Sequence, residues 1–446
     1  MYLTSPQIVS DVLFLIKATA STSFQLHPDN MVHFNFDILS LIFIEALHTD
    51  STSLSTLRLV KRTWYEITGR TPQLWTRLVL RRRSHFTDLK YAQLYLQNSG
   101  TLPIDIHIML PDDVDVSEIE RVSDLLRGQS SRFRSFDLHV RIRDELEGFI
   151  YLIGKDRPAP LLESLELRVQ RCTPCDTVVC FVSPLDAFTP APHLTHIEIP
   201  GWPILEPFPQ LSNITSLTID SMSLDCITIH KVILFLCSTP SLEHFVYKGH
   251  GVSNKTVRNL NDSDPRVVHL PNLVTVDVTA PGSGGDVLCL IHAPALRDAC
   301  IDGFHPHNLD VPWERAPNES LTQIIFLLST RSRNLRRLTL EYTEFLETPG
   351  GFETIFDDIS FPQLEEVLLI ATDITDEALM KGARRNLGLK RLELRYCDAV
   401  TGTGFLEFVQ RRGSDFSLSL QHCGHLNMTQ EDMEAISEMI EVEGLH

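Results

Sequence analysis

The chain has 446 residues, enough for two or three compact domains or one extended repeat array. Hydrophobic residues make up 43% and charged residues 22%, an ordinary globular composition that argues against disorder. A formal net charge of -19 repels phosphate backbones, which argues against nucleic acid as a general partner and, weakly, for a basic one.

Residues 1–30 contain an apolar stretch over positions 8–20 that is broken by Asp11 and Lys17 and is shorter than a membrane span. Val9, Val12, Leu13 and Ile16 predict an amphipathic helix, docked on the next segment or frayed. No Lys or Arg precedes it and Asp11 abuts the apolar run, so it does not read as a secretory signal. The nine scattered cysteines, an odd number, then favour free thiols in a reducing compartment, cytoplasmic or nuclear.

Residues 31–80 read as a small helical domain. Phe36, Leu39, Ile42, Phe43 and Leu47 fall near the spacing of one helical face, with Asp37 in the first turn where a carboxylate is favoured. Leu54, Leu57, Val60, Lys61 and Trp64 predict a second helix, with Ser53 as its N-cap and Pro72 ending it. Ile38 and Leu41 widen the apolar arc of the first helix beyond what one neighbour can cover. A hairpin apolar on two sides implies two burial partners, the rest of the chain and a second protein. Burial of both faces within one chain is the alternative that so short a pattern leaves open. The Arg81-Arg82-Arg83 run next to it is too short for a nucleic-acid or nuclear-import patch and reads as a solvated turn.

Residues 81–130 read as a linking region with first irregular repeats, and residues 131–446 as a repeat array. One phrase recurs: an apolar residue, two polar, an apolar residue, one polar, an apolar residue. It occurs at Leu162…Leu165…Leu167, Leu194…Ile197…Ile199, Ile214…Leu217…Ile219 and Leu242…Phe245…Tyr247. It returns at Leu273…Val276…Val278, Leu335…Leu338…Leu340, Leu364…Val367…Leu369 and Leu389…Leu392…Leu394, with a weaker copy at Phe133…Phe136…Leu138. Successive copies lie about 20 to 39 residues apart, so the repeat is loose. The last three positions of the phrase predict a short strand with two apolar side chains on one face. Such a strand cannot bury that face alone, but stacked parallel strands can. Helical patterns separate the phrases, at residues 227–237, 321–330, 353–359, 376–385, 404–412 and 430–441. The predicted fold is therefore α/β: a helical hairpin followed by an irregular leucine-rich-repeat solenoid, parallel strands inside, helices outside. Cys397 and Cys423 are expected as small buried thiols where the chain leaves a strand. Residues 428–446 are expected to be an acidic helical cap.

No motif of bond chemistry is assigned. Cys172, Cys175 and Cys180, with His193 and His196, form the one metal-like cluster, but the histidines are placed by the repeat phrase and the thiols read as a loop. The glycine-rich 281–286 stretch lacks the Gly-Lys-Ser/Thr ending of a phosphate loop and reads as a flexible turn. Glu166, Glu198, Asp220, Asp277, Glu341 and Glu393 recur at outward strand positions. They could serve as an acid/base pair in a parallel β-helix enzyme, but their placement follows the repeat period and favours a solvated concave face. Neither metal nor cofactor is expected.

The hairpin resembles an F-box of the variant common in large fungal families. The residues that carry this are Asp37-Ile38-Leu39, Ile42-Phe43, the 57–64 segment from Leu57 through Val60 and Arg62 to Trp64, and the closing Pro72-Gln73-Leu74-Trp75. Two positions depart from that pattern: Asn35-Phe36 replaces the usual leading proline, and Lys61 stands where Cys is common. The 389–402 segment resembles the cysteine-containing leucine-rich repeat that often accompanies F-boxes. What the resemblance implies is a substrate-recognition subunit of an SCF-type cullin–RING ubiquitin ligase, itself not an enzyme. Ile38, Leu39, Ile42, Leu57, Val60, Trp64, Leu74 and Trp75 would bind a Skp-type adaptor or support that interface. Glu166, Arg168, Glu198, Asp220, Lys248, Asp277, Glu341, Glu393 and Arg395 would face a protein substrate. No nucleic acid or membrane is implied. A leucine-rich scaffold unattached to any ligase, its hairpin sealed on both faces, is the alternative.

Overall fold

The computed structural model describes residues 36–49, 54–81, 87–110, 116–154, 157–170, 187–200, 211–221, 229–249, 267–279, 283–303, 319–343, 345, 350–385, 388–412, 416–423 and 442–443. The expected 9–18 helix, the Ser53 cap, the 172–180 cysteines and the 430–441 helix lie outside them.

The chain begins with helices α1 (Phe36–Thr49), α2 (Leu54–Val60) and α3 (Arg62–Arg70), closed by a 3-10 turn at Pro72–Trp75. The second helical pattern, expected as one helix, is two. Lys61 is extended there (φ -156°, ψ 151°), which breaks the ladder and redirects the chain. Trp64 then lies against Phe43, ring centroids 4.7 Å apart. Ser40 of α1 meets Thr71, just past α3, Oγ to Oγ1 at 3.1 Å, and one of the two hydroxyls donates across that contact while the other donates to its own helix, to the Phe36 carbonyl (2.9 Å) or the Ile67 carbonyl (2.8 Å).

Beyond the hairpin lies a mixed α/β architecture on one large parallel sheet. Its first strands are β1 (Arg77–Arg81), β2 (Ile104–Met109), β3 (Phe133–Val140), β4 (Ser164–Val169), β5 (His196–Pro200), β6 (Ser216–Ser221) and β7 (His244–Gly249). A two-residue pair, β8 (Val268–His269) with β10 (Ile291–His292), stands apart from it. The sheet continues through β9 (Thr275–Thr279), β11 (Asp298–Asp302), β12 (Arg337–Glu341), β13 (Glu366–Ile370), β14 (Arg391–Arg395), β15 (Ser417–Gln421) and β16 (Val442–Glu443). Among the described residues the sheet has 14 strands, and they neighbour one another in chain order. Helices α4 (Thr87–Asn98), α5 (Val116–Arg127), α6 (Arg143–Gly154), α7 (Ile229–Cys237), α8 (Ser283–Cys289), α9 (Glu319–Arg331), α10 (Gly350–Ile355), α11 (Asp376–Arg385) and α12 (Gly402–Arg412) fill the connections. The arrangement is solenoid-like: each strand–helix unit buries its apolar face against the next.

Every phrase read from the sequence forms a strand of this sheet, and the register aligns them. Leu165 sits beside Ile197, Ile197 beside Leu217, and Leu217 beside Phe245. Leu338, Val367, Leu392 and Leu418 continue the same row. All are buried, and they stack into one continuous apolar ladder. Three strands carry the same logic less visibly. β1 follows the phrase Trp75…Leu78…Leu80, so the residue that closes the hairpin also opens the sheet. β2 presents Ile106 and Ile108 in register with Phe136 and Leu138. β11 presents Ala299 and Ile301, where a small residue stands in a place the phrase gives to a large one.

Two expectations are corrected. The described part of the 281–286 stretch is not a turn: residues 283–289 are α8, with Asp286, Val287 and Leu288 buried. The burial of those three side chains outweighs the poor helix propensity of Gly284-Gly285. Within the expected helical cap, Val442–Glu443 instead pairs with β15 as a strand.

Past the strand ends the chain turns the same way in successive units. Tyr342, Ala371, Tyr396 and His422 come directly after β12 to β15 and share a left-handed backbone, with φ of 50°, 50°, 54° and 56°. Their amides extend the ladder: Tyr342 N–H donates to the Ile370 carbonyl (2.7 Å), Ala371 N–H to Arg395 (2.7 Å) and Tyr396 N–H to Gln421 (3.0 Å).

Candidate functional site

Two surfaces hold the residues singled out in the sequence. The first is the helical hairpin. Leu39, Ile42, Leu57, Leu74 and Trp75 are buried, Val60 and Trp64 are half-buried, and of the eight only Ile38 is exposed. The Trp75 indole N–H donates to the Thr68 carbonyl (2.7 Å), and its ring meets Tyr95 of α4 edge-on at 5.0 Å. These residues weld the hairpin to the start of the sheet, so their part in any interface is support. The solvent-facing apolar side chains are others: Phe36 at 38% exposure, Ile38 at 48%, Leu41 at 65%, Leu59 at 86% and Tyr65 at 52%. The Arg58 guanidinium lies over the Tyr65 ring (4.3 Å) and reaches the Trp75 ring at 5.2 Å, bridging the outer and inner layers. Leu59 and Tyr65 were missed in the sequence because the break at Lys61 changes which face each half presents.

The second surface is the open face of the sheet, where the outward strand positions stand in rows. It falls into three groups. Near its start, Arg168 forks onto Glu198, Nε to Oε1 at 2.6 Å and Nη2 to Oε2 at 2.9 Å, and its Nη2 also donates to Glu166 at 2.8 Å. The Glu198 hydrogen bond holds the Arg168 charge firmly, well above its ordinary range. Asp137 joins this cluster, bonded to His107 and 3.9 Å from Arg168. At the far end Arg395 Nε donates to Glu393 at 2.6 Å, with Arg391 on the same carboxylate at 3.3 Å, while Arg337 binds Glu366 at 2.7 Å. In the first group Arg168 meets three carboxylates, and in the second three arginines meet two.

The middle group is different. Lys248 of β7 sits beside Asp220 in register, and Asp277 of β9 lies beside Cys300 of β11. Asp302 of β11 lies beside Glu341 of β12. Burial pushes the Asp277 carboxyl up, opposed by the Lys248 charge and by a hydrogen bond from Cys300. Burial also pushes Glu341 up; Asp302 and Asp277 push it further and Arg395 opposes them. The Cys300 thiol is raised by burial and by the surrounding carboxylates, and stays protonated. Cys300 and Asp302 went unnamed in the sequence because Ala299 hid their strand, although Leu296…Ala299…Ile301 keeps the spacing of the phrase. Lys248 thus joins Asp220 and Asp277, and Glu341 joins Asp277 and, through Arg395, reaches Glu393; Glu166, Arg168 and Glu198 form a separate group.

Comparison with known proteins leaves both surfaces without a named counterpart. No family model matches the chain, and no curated protein matches it. Among solved structures, a crystal structure of a Bacteroides fragilis protein is 15% identical, with a TM-score of 0.30. The match covers 52% of this chain and 56% of that one, a likeness too slight to bear on function. Among the described residues no helix is long and apolar enough to cross a membrane, and no group of three His, Cys, Asp or Glu side chains is placed to hold a metal.

Proposed function

We propose that this chain is the substrate-recognition subunit of an SCF-type cullin–RING ubiquitin ligase. In this reading the α1–α3 hairpin is an F-box that docks on a Skp-type adaptor, and the sheet is a leucine-rich-repeat array that holds a protein substrate on its open face. The observation that carries it is the asymmetry of the hairpin. Its inner layer, from Leu39 and Phe43 to Trp75, is packed into the chain, while Ile38, Leu41, Leu59 and Tyr65 stand in solvent. Large apolar side chains on the outside of a small helical unit are a docking surface, because interface energy concentrates in such residues. A scaffold whose hairpin served only as internal structure would have no use for them. The ligase subunit does no bond chemistry itself; it raises the effective concentration of substrate lysines near the conjugating enzyme.

The test is co-purification of the full chain with a Skp-type adaptor, wild type beside Ile38→Asp/Leu41→Asp. Both positions are exposed, so the variant should keep its circular dichroism and thermal midpoint while losing the adaptor. A folded wild type that captures no adaptor would overturn the reading and leave the scaffold as the better account.

A further inference from the structure

The middle group on the open face has a rim. Immediately after Glu341 the chain turns at Tyr342, whose side chain is 38% exposed. Two strands further on, Tyr396 is 50% exposed and stacks on His422 with centroids 5.0 Å apart and an 11° tilt. Between the two tyrosines, at the same turn of β13, stands Ala371. Below the rim the β13 positions are Leu368 and Ile370, both half-buried. Aromatic faces attract cations, and carboxylates beside them add to that attraction. The chain as a whole carries -19.

Resting on the ligase reading, in which the open face holds the substrate, we propose that the stretch from β9 to β14 docks an extended basic segment of a partner protein. Some of its Lys or Arg side chains lie over Tyr342 and Tyr396 and others reach Asp277, Asp302 and Glu341. Charge complementarity selects this occupant. At the far end three arginines meet two carboxylates, whereas in the middle three carboxylates, Asp277, Asp302 and Glu341, stand against the two cations that oppose them, Lys248 and Arg395. An acidic or phosphorylated segment would meet repulsion there.

The experiment is a fluorescence-anisotropy titration of the full chain with a fluorescein-labelled decapeptide of arginine spaced by glycine and serine. The same peptide with glutamine for arginine serves as control. Asp277→Asn/Glu341→Gln should weaken binding by about tenfold, the loss expected for two half-buried charge contacts. Tyr342→Ala/Tyr396→Ala should weaken it about threefold through lost cation–π contact, and Tyr342→Phe/Tyr396→Phe should restore it. Ala371 already holds the same left-handed turn, so these alanines ask nothing new of the backbone. Glu120→Gln/Asp124→Asn on α5 removes the same charge from an exposed helix surface and should leave binding unchanged. Equal binding by the Asp277/Glu341 variant and the α5 variant, or no preference for the arginine peptide, would overturn the proposal. Adaptor capture by the Asp277/Glu341 variant separates the two readings. Its persistence with no peptide preference sinks only the basic-segment proposal. Peptide preference in a chain that captures no adaptor sinks only the ligase reading.

Discussion

Trp75 shows how a single residue can be legible in type while its layer, interface or support, stays open. Its spacing from Trp64 and Leu74 marks it in the sequence as part of an interface, and a large aromatic at the end of a short hairpin invites that reading. In the fold it is 1% exposed, because the first strand already begins at Arg77. The sequence does contain that signal, since Trp75…Leu78…Leu80 repeats the spacing of the later phrases, but an F-box-like closing motif covers the same letters. Exposure cannot be read from residue type when two motifs share a residue. Ile38 and Leu41, whose exposure was inferred from the width of an apolar arc, rest on a geometric argument and do stand in solvent. The two kinds of residue should respond oppositely to substitution. Trp75→Phe removes an indole donor from the buried Thr68 carbonyl and leaves a small void, and should cost about 2 kcal/mol or more in denaturant unfolding. Leu41→Asp should change stability by less than about 0.5 kcal/mol, as expected for an exposed position. A Trp75→Phe protein as stable as wild type would show that Trp75 does not weld the hairpin to the sheet.

At the scale of elements, strands were far more legible than helices. A strand in a parallel sheet must place two apolar side chains on the core face in a fixed spacing, so the phrase survives even where the repeat length drifts. It failed at β11, where Ala299 occupies a core position, at β1 and β2, whose opening residues Trp75 and Pro103 are not the expected leucine, and at the two-residue strands β8, β10 and β16. Helices α4, α5 and α6 escaped notice because a helix packed on a sheet needs only a few buried residues per turn. In α5 these are Ile119, Ser123 and Leu126, one of them polar. The left-handed turn after each late strand is the element that the sequence concealed most, since Tyr, Ala, Tyr and His replace the glycine or asparagine that usually marks one. That conformation makes a prediction. A β-branched side chain tolerates positive φ poorly, so Ala371→Val should destabilise by roughly 1–2 kcal/mol, whereas Ala371→Gly should be neutral or stabilising. Denaturant midpoints of the two variants measured side by side check this, and a valine variant no worse than the glycine one would mean that the turn is not held left-handed in solution.

For the whole molecule, the open face sets stability against binding. Along its ends arginines bond directly to carboxylates, and those networks tie adjacent strands together. In the middle, burial and mutual repulsion hold Asp277 and Glu341 above the usual carboxylate range, against the opposing charges of Lys248 and Arg395, with Asp302 and the Cys300 thiol alongside. A carboxyl whose folded pKa lies above its unfolded one disfavours folding wherever it is ionised in both states. That penalty is complete above the folded pKa and is relieved as pH falls through it toward the unfolded value. Replacing the pair by neutral amides should therefore raise the thermal midpoint of Asp277→Asn/Glu341→Gln over wild type at neutral pH. The advantage should shrink as the pH is lowered into the carboxylate range, where wild type sheds the same cost by protonation. Binding runs with the opposite sign. A cationic segment favours the ionised carboxyls, so its docking releases protons, and the affinity of wild type for the arginine peptide should fall as pH falls. The same two substitutions would then stabilise the chain and weaken its grip, the trade expected where a protein keeps strained groups for a partner. Thermal scans and anisotropy titrations of both proteins at neutral and mildly acidic pH measure the two effects together. A variant less stable than wild type at neutral pH would mean that Asp277 and Glu341 hold the fold together and carry no such penalty.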